Sequence, residues 1–197
     1  GYARLDSETR DAIAYAAKNI HNFHEKQLPE EMWFTEVDKG LMVGEKTTPI
    51  VDVCLYVPRG KGSFPSVLLM LGVPAKVAGV GKIVVVTPPN EQGDVDDAIL
   101  AAAKIIGITE IYKVGGIQAV AAAAFGTETI PKCHKIIGPG NAYATAAKRV
   151  LANYIDAGLP AGPSECIVLA DEKADPEKVA LDWICLLYTS PSPRDPK

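Results

Sequence analysis

The sequence predicts an α/β fold with a doubly wound, mostly parallel, Rossmann-like sheet and an incomplete second α/β domain. Short apolar segments alternate with helical segments from about residue 50 onward. Segments such as Ile83-Val-Val-Val-Thr87 are apolar throughout, which is typical of parallel strands that helices cover on both faces. Loops rich in glycine and proline follow several predicted strands. Such sheets bind ligands at the carboxyl ends of their strands, so we expect a site in these loops.

The elements are predicted in the following order. A helix covers residues 6–28, where apolar residues recur at helical spacing until Pro29. Residues 33–48 are expected to be extended or irregular chain. Predicted strands cover 51–57, 83–87, 111–114, 135–137 and 166–170, and predicted helices cover 65–78, 94–106, 116–125, 141–153 and 175–184. Pro74 lies inside the first of these later helices and is expected to kink or split it.

Composition and charge exclude several classes of protein. The formal net charge is −4, whereas a protein that binds nucleic-acid backbone is normally basic, so we expect no nucleic-acid partner. No apolar run reaches the ~18 residues of a membrane span, and no signal-peptide pattern is present. The four cysteines form no C-x-x-C pair, which excludes a zinc ribbon and fits small buried residues in a reducing cytoplasm. The first residue is Gly1 rather than Met, as in a chain that begins within a longer protein.

The loops that follow the predicted strands have the chemistry of a nucleotide site. They are Pro58–Ser63, Gly115–Gln118, Gly138–Asn141 and Pro160–Glu165. Glycine allows close approach of the backbone to a ligand, and a helix start offers free N–H groups to a pyrophosphate. Any one of these loops is most simply a tight turn, but several of them at one edge of a sheet favour a ligand site. Neither G-x-G-x-x-G nor the P-loop fingerprint is present.

A set of short segments carries a family resemblance. They are Leu55-Tyr-Val-Pro-Arg-Gly60, Val73-Pro-Ala-Lys-Val-Ala-Gly-Val80, Val86-Thr-Pro-Pro89, Val114-Gly-Gly-Ile-Gln-Ala-Val120, Phe125-Gly-Thr-Glu128, Ile137-Gly-Pro-Gly-Asn141 and Ala161-Gly-Pro-Ser-Glu165. In this order and at these spacings they resemble the histidinol dehydrogenase family, over roughly residues 6–184. The resemblance implies a zinc-dependent, homodimeric enzyme that uses NAD to oxidise an amino alcohol, L-histidinol, to L-histidine. This is the last step of histidine biosynthesis and has two successive hydride transfers.

The resemblance also implies roles for individual residues. Tyr56, Gln118 and Asn141 match the positions that contact NAD, and Ser164 matches a substrate-contacting serine. A tyrosine ring and hydroxyl and two amides are suited to orienting a cofactor by hydrogen bonds. Residues 55–163 are interpreted as the NAD-binding Rossmann-like domain. The incomplete second domain comprises 1–54 and 164–184.

One departure from the family pattern concerns the substrate. Many members have Tyr-Val-Pro-Gly-Gly where this chain has Tyr-Val-Pro-Arg-Gly-Lys-Gly. Arg59 and Lys61 are either solvated loop charges or a site for an anionic group, and relatives in the family act on other polar alcohols, including sulfonated ones. A related dehydrogenase with such a substrate therefore stays open, as does a nucleotide-binding module without chemistry.

A second departure concerns the metal site and the C-terminus. The family places two zinc ligands at positions that correspond to Leu186 and Thr189, neither of which is a good ligand. The other ligands and the Glu-His pair of catalytic bases are expected beyond residue 197, so no catalytic or metal residue is assigned and we expect this chain to be inactive. Residues 185–197 change abruptly to a Pro/Ser composition and are interpreted as a non-native tail derived from sequencing adapter.

The remaining metal and nucleophile candidates are weak. His21 and His24 have ligand spacing on a helix but no evident third ligand, so we interpret them as surface residues. His134 precedes a strand and has no evident partner. Cys166 has no evident histidine to activate it and is expected to be a buried strand residue.

Overall fold

The computed structural model describes residues 1–59, 63–158 and 168–181. The chain divides into two compact units, Gly1–Pro160 and Ala161–Lys197. In the described part of the second unit, residues 176–181 are helical and 168–170 have no regular structure. The predicted strand at 166–170 begins at residues that lie outside the described part, as do Ser164, Cys166 and the predicted tail.

The first unit contains all the strands that the described residues form. Its helices are the 3₁₀ helix Tyr2–Arg4 and the α-helices α1 (Ser7–Glu25), α2 (Pro65–Val77), α3 (Asp97–Ile105), α4 (Gly116–Phe125) and α5 (Ala142–Val150). Its strands are β1 (Met32–Asp38), β2 (Leu41–Lys46), β3 (Asp52–Tyr56), β4 (Lys82–Val86), β5 (Glu110–Tyr112) and β6 (Ile136–Ile137). Strand and helix alternate from β3 to α5, as the sequence predicts.

Strands β3 to β6 form one parallel sheet in the order β5-β4-β3-β6. Leu55 of β3 pairs with Val85 of β4 on one side and with Ile137 of β6 on the other. The chain adds β4 and β5 outward on one side of β3 and then returns to place β6 on the other side. The strand order therefore reverses at β3, and the carboxyl ends of β3 and β6 flank the crevice where doubly wound sheets bind ligands.

Apolar side chains cover both faces of this sheet. On one face, Leu55 and Val85 belong to a core cluster with residues of α1, α2 and α3. On the other face, Cys54, Tyr56 and Val84 belong to a cluster with the alanines of α4 and α5. Because successive strand residues point to opposite faces, only strands that are apolar at every position can fill both layers. The predicted doubly wound α/β class is thus confirmed.

The N-terminal helix α1 packs on this core. The Asp6 side chain accepts a hydrogen bond from the Thr9 N–H at 2.7 Å and so caps the helix. Ile13 and Ala17 are the buried residues of α1, and the helix contacts α2 and α3. The division into domains at residues 54/55 and 163/164 stays a prediction.

One local expectation needs correction, and a second is made more precise. Helix α2 is continuous through Pro74 as far as Val77, so the proline does not split it. Pro74 lies in the last turn of α2 and has no N–H to donate, but its carbonyl still accepts from the Ala78 N–H at 2.8 Å. Of the two alternatives for residues 33–48, extended chain is the one found: β1 and β2 form an antiparallel hairpin whose turn contains Gly40 at φ 78°.

Candidate cofactor site at the carboxyl edge of the sheet

Tyr56 lies at the carboxyl end of β3, beside the point where the strand order reverses. Its side chain is buried in the layer between the sheet and helices α4 and α5. The Tyr56 hydroxyl oxygen accepts a hydrogen bond of 2.8 Å from the backbone N–H of Gly116. Gly116 is the first residue of α4, so this bond satisfies one of the free donors that every helix start carries. The hydroxyl hydrogen of Tyr56 stays available to another acceptor.

The loop after β6 presses its backbone against Tyr56. Gly138 has a φ of 133°, in the region that favours glycine. A Cβ atom at this position would overlap the carbonyl oxygen of Tyr56, and one on Gly140 would lie 3.7 Å from the Tyr56 ring atom Cε1. Close approach of loop and strand therefore depends on glycine, and it brings the loop before Asn141 to the end of β3.

Gln118 and Asn141 stand at the starts of the two helices on this side of the sheet. Gln118 is exposed two residues after Gly116. Asn141 caps α5, where its Oδ1 atom accepts from the Ala144 N–H at 3.0 Å. The cap occupies the side-chain oxygen and leaves the amide N–H groups for a ligand. The structure thus brings Tyr56, Gln118 and Asn141 to one edge of the sheet, while Ser164 lies outside the described residues.

Lys148 is a charged residue inside this region that the sequence analysis did not single out. It lies on α5 with only 6% of its surface exposed. Its Nζ atom donates a 2.5 Å hydrogen bond to the carbonyl oxygen of Gly138 and lies 5.7 Å from the centre of the Tyr56 ring. Burial lowers the pKa of this ammonium group. The burial of Lys148 could have been predicted from the sequence, because Lys148 lies on the same face of α5 as the buried residues Ala144 and Ala147.

Thr87 adds a buried polar group to the same edge. It follows β4, is fully buried, and donates its N–H to the Tyr112 carbonyl at 3.1 Å. Within residues 1–59, 63–158 and 168–181, its Oγ1 atom is the buried side-chain polar atom without a hydrogen-bond partner. Buried hydroxyls are normally paired, so this one is an exception among the described residues.

The opposite edge of the sheet holds a different polar cluster. Asp52, at the start of β3, accepts hydrogen bonds from the His134 backbone N–H at 2.6 Å and from ring atom Nδ1 at 2.9 Å. The expectation that His134 lacks a partner is therefore wrong; a partner 82 residues away in sequence gives no local signal. A cavity of about 760 Å³ beside this cluster is lined by Cys133, His134 and residues 152–158, among others.

The described cysteines are structural. Cys54 and Cys133 are free thiols buried in the layer beneath α4 and α5, as the sequence predicts. A hydrogen bond with Cys133, together with burial, raises the pKa of the Cys54 thiol well above its usual value of 9.0. A thiol held in its neutral form is a poor nucleophile, so Cys54 is not a candidate catalytic residue.

The described residues do not fit a zinc site. No group of three or more His, Cys, Asp or Glu side chains among them is arranged to hold a metal ion. His21 lies 3.6 Å from Glu25 on the helix surface, and His24 makes an edge-to-face contact with Phe23. Leu186 and Thr189 lie outside the described residues. In the described part of the chain, no helix has both the length and the apolarity that crossing a membrane requires.

The strand order and the glycine-lined crevice define a doubly wound α/β protein with a candidate nucleotide site. Comparison with known proteins then places the chain more narrowly. The family model described as histidinol dehydrogenase matches residues 1–186. The chain belongs to the histidinol dehydrogenase family.

Individual relatives agree with this placement. The chain is 54% identical to a histidinol dehydrogenase from Synechocystis sp. over 180 residues, which are 91% of this chain and 42% of that protein. It is also 54% identical to a "histidinol dehydrogenase homolog" from Cereibacter sphaeroides, covering 93% of this chain and 42% of the relative. The crystal structure of histidinol dehydrogenase from Elizabethkingia anophelis superposes with a TM-score of 0.85 at 45% identity, over 93% of this chain and 42% of that one. The chain thus spans about two fifths of the length of these relatives.

Proposed function

We propose that this chain is the NAD-binding part of a histidinol dehydrogenase. The observation that carries the proposal is the crevice at which the strand order reverses, where Tyr56 and the Gly138 loop meet at the starts of α4 and α5. Free N–H groups and the positive end of a helix dipole favour a pyrophosphate at such a place. Glycines that leave no room for a side chain allow the cofactor to approach the backbone.

Three residues would hold the cofactor. Tyr56 offers its hydroxyl hydrogen, Gln118 an exposed amide, and Asn141 the N–H groups that its cap leaves free. Bound NAD supplies the acceptor for a hydride. The contribution of these side chains is to orient the cofactor by hydrogen bonds at fixed points of a rigid sheet edge. Ser164 is proposed to contact the substrate.

The activity of the whole protein is proposed on family grounds. It is the NAD-dependent oxidation of L-histidinol to L-histidine in two hydride transfers, by a cytoplasmic, zinc-requiring homodimer. On the same family grounds, the zinc ligands and catalytic bases are proposed to lie outside this chain. Binding of NAD without turnover is therefore the expected behaviour of the chain alone.

A second candidate function is oxidation of another polar alcohol, with a sulfonated alcohol as the favoured class. Arg59 supports it, since this exposed residue lies three residues after the end of β3 and is in none of the ion pairs that the described residues form. Several relatives at 50% identity or more, among them those from Colwellia psychrerythraea and Cereibacter sphaeroides, are named only as homologs of histidinol dehydrogenase. A free guanidinium suits a sulfonate better than a neutral or cationic substrate.

Calorimetric titration of the 197-residue chain with NAD tests the first proposal, followed by an assay for NADH with zinc and L-histidinol. We expect binding and no NADH. Absence of binding would contradict the cofactor role, and turnover would contradict the placement of the catalytic bases outside the chain.

Titration of the NAD complex with a sulfonated alcohol, using the chain and Arg59→Gly, separates the two substrates. Only the sulfonate proposal expects binding that the substitution abolishes.

A further inference from the structure

We propose that Lys148 is a positioning residue for the NAD site, which holds the Gly138 loop and Tyr56 in the arrangement that receives the cofactor. The inference rests on the proposed function and deepens it. Among the described residues Lys148 makes no hydrogen bond to Gln118 or Asn141. It contacts instead the Gly138 carbonyl oxygen and the ring of Tyr56.

The ammonium group of Lys148 joins two segments that are distant in sequence. One contact is the hydrogen bond to the Gly138 carbonyl oxygen, ten residues earlier in the chain. The other is the face of the Tyr56 ring, whose centre lies 5.7 Å away, within the range of a cation–π interaction. Gly138 itself packs against the Tyr56 carbonyl. Lysine, glycine and tyrosine thus form one interlocked unit at the reversal of strand order.

Tyr56 extends this unit to the second helix. Its hydroxyl accepts the Gly116 N–H at the start of α4. A series of contacts therefore runs from α5 through Lys148, the Gly138 loop and Tyr56 to α4. This series of contacts ends at Gly116, two residues before Gln118, and it includes Gly138, three residues before Asn141. A shift of the lysine would move both predicted amide contacts relative to Tyr56.

Stability alone does not account for an ammonium group at this position. Within the described residues no carboxylate lies within 4.0 Å of Lys148 Nζ, and the residue is buried. Burying a charge without a counter-charge is costly, and an apolar side chain of similar length avoids that cost. What an apolar side chain does not supply is the hydrogen bond to Gly138 and the attraction to the Tyr56 ring.

The test compares Lys148→Met with Arg149→Met in the full 197-residue chain. Both substitutions remove one positive charge from the last turn of α5, but Arg149 is exposed. Three quantities are measured: the melting temperature, the amide hydrogen-exchange rates of segments 114–120 and 136–142, and the Kd for NAD by calorimetry. Lys148→Arg, which keeps the charge, serves as the conservative variant.

We expect Lys148→Met to melt no lower than the unsubstituted chain, to exchange faster in the two segments, and to bind NAD about tenfold more weakly. Lys148→Arg should partly restore slow exchange and NAD affinity, and Arg149→Met should change neither the exchange rates nor the Kd for NAD. Unchanged exchange in Lys148→Met overturns the positioning role whether or not NAD binds. A fall in melting temperature that accompanies faster exchange throughout the chain also overturns it. Absence of NAD binding by the unsubstituted chain contradicts the proposed function, and the exchange rates then still decide whether Lys148 holds the edge.

Discussion

Strand β3 and the hairpin β1–β2 are both rich in apolar residues, yet they differ completely in burial. All five residues of β3 are buried, whereas every residue of β1 and β2 is exposed. Exposed side chains of the hairpin include Phe34 at 62% and Met42 at 57%. Composition alone therefore does not bury a strand. Burial requires neighbouring layers, and in the described chain only the parallel sheet has helices on both faces.

The difference gives the two regions different roles. The buried sheet holds Tyr56 rigidly in the candidate cofactor site. The hairpin exposes several large apolar side chains, and clusters of such side chains usually mark a contact with another part of the protein or with a partner. A groove of about 730 Å³, lined by Leu28, Ile50, Met70 and Leu71 among others, lies between the ends of the hairpin and the sheet. The assignment of residues 1–54 to a second domain stays a prediction, and α1 of this segment packs on the core of the sheet.

The largest difference in stability loss between the parallel sheet and the hairpin is expected for alanine substitutions at two glycines with positive φ. Gly138→Ala should destabilise the fold by about 2–5 kcal/mol, the sum of left-handed strain and overpacking. The overpacking arises because the new Cβ would overlap the Tyr56 carbonyl oxygen. Gly40→Ala in the hairpin turn has the same kind of strain but no atom within 4 Å of the new Cβ, so about 1 kcal/mol is expected. Urea denaturation of both variants measures the difference, and equal losses would show that the Gly138 loop is not tightly packed on β3.

A second, smaller difference is expected for apolar truncations. Leu55→Ala removes a fully buried side chain of β3 and should cost about 3 kcal/mol, within the range for cavities in protein cores. Phe34→Ala removes a larger but exposed side chain of β1 and should change the free energy of unfolding by less than about 0.5 kcal/mol. Both values come from the same urea experiment. A loss for Phe34→Ala as large as that for Leu55→Ala would mean that the hairpin is buried in solution.

The smallest expected effect concerns an exposed ion pair at the rim of the core. Arg4 donates two hydrogen bonds to the Asp97 carboxylate, at 2.7 and 2.5 Å. These bonds hold the pKa of Asp97 below its usual value of 3.8. A carboxyl group with a lowered pKa in the folded state stabilises the fold above its unfolded pKa, and this contribution is lost as the pH falls through the lowered value.

Melting curves recorded from about pH 5 down to about pH 3 test this linkage. Asp97→Asn should lower the melting temperature slightly at the upper end and show a shallower fall on acidification than the unsubstituted chain. Asp11→Asn, at an exposed position of α1, is the control and should leave the slope unchanged. Identical slopes for all three proteins would mean that the Arg4–Asp97 pair does not form in solution.

Much of the fold was predictable from sequence because the buried sheet leaves a strong signal. Strands such as Lys82–Val86 are apolar at nearly every position, and a turn containing Gly107 follows the helix that precedes β5. For residues 33–48 the sequence left extended and irregular chain open and did not predict the hairpin, because its residues face solvent on both sides and no alternation of apolar and polar positions marks it. The continuity of α2 through Pro74 depends on how close the proline is to the helix end, a boundary that sequence patterns locate poorly.

The candidate site was predictable in its parts but not in its assembly. Loop composition and family resemblance pointed to Tyr56, Gln118 and Asn141, and the fold places all three at the carboxyl edge of the sheet. The bond between Tyr56 and Gly116 spans 60 residues, so no local pattern reveals it. Lys148 resembles an ordinary surface lysine until the helical spacing of its neighbours and the position of Gly138 are known.

The central claim is that the carboxyl edge of the parallel sheet, and not the amino edge with its cavity, binds NAD. Calorimetric titration of the chain, Gln118→Ala and His134→Ala with NAD tests it directly, since both side chains are exposed and lie at opposite edges. We expect Gln118→Ala to bind NAD about tenfold more weakly, a loss of about 1.4 kcal/mol, and His134→Ala to bind like the unsubstituted chain. Loss of affinity in His134→Ala with none in Gln118→Ala would contradict the account.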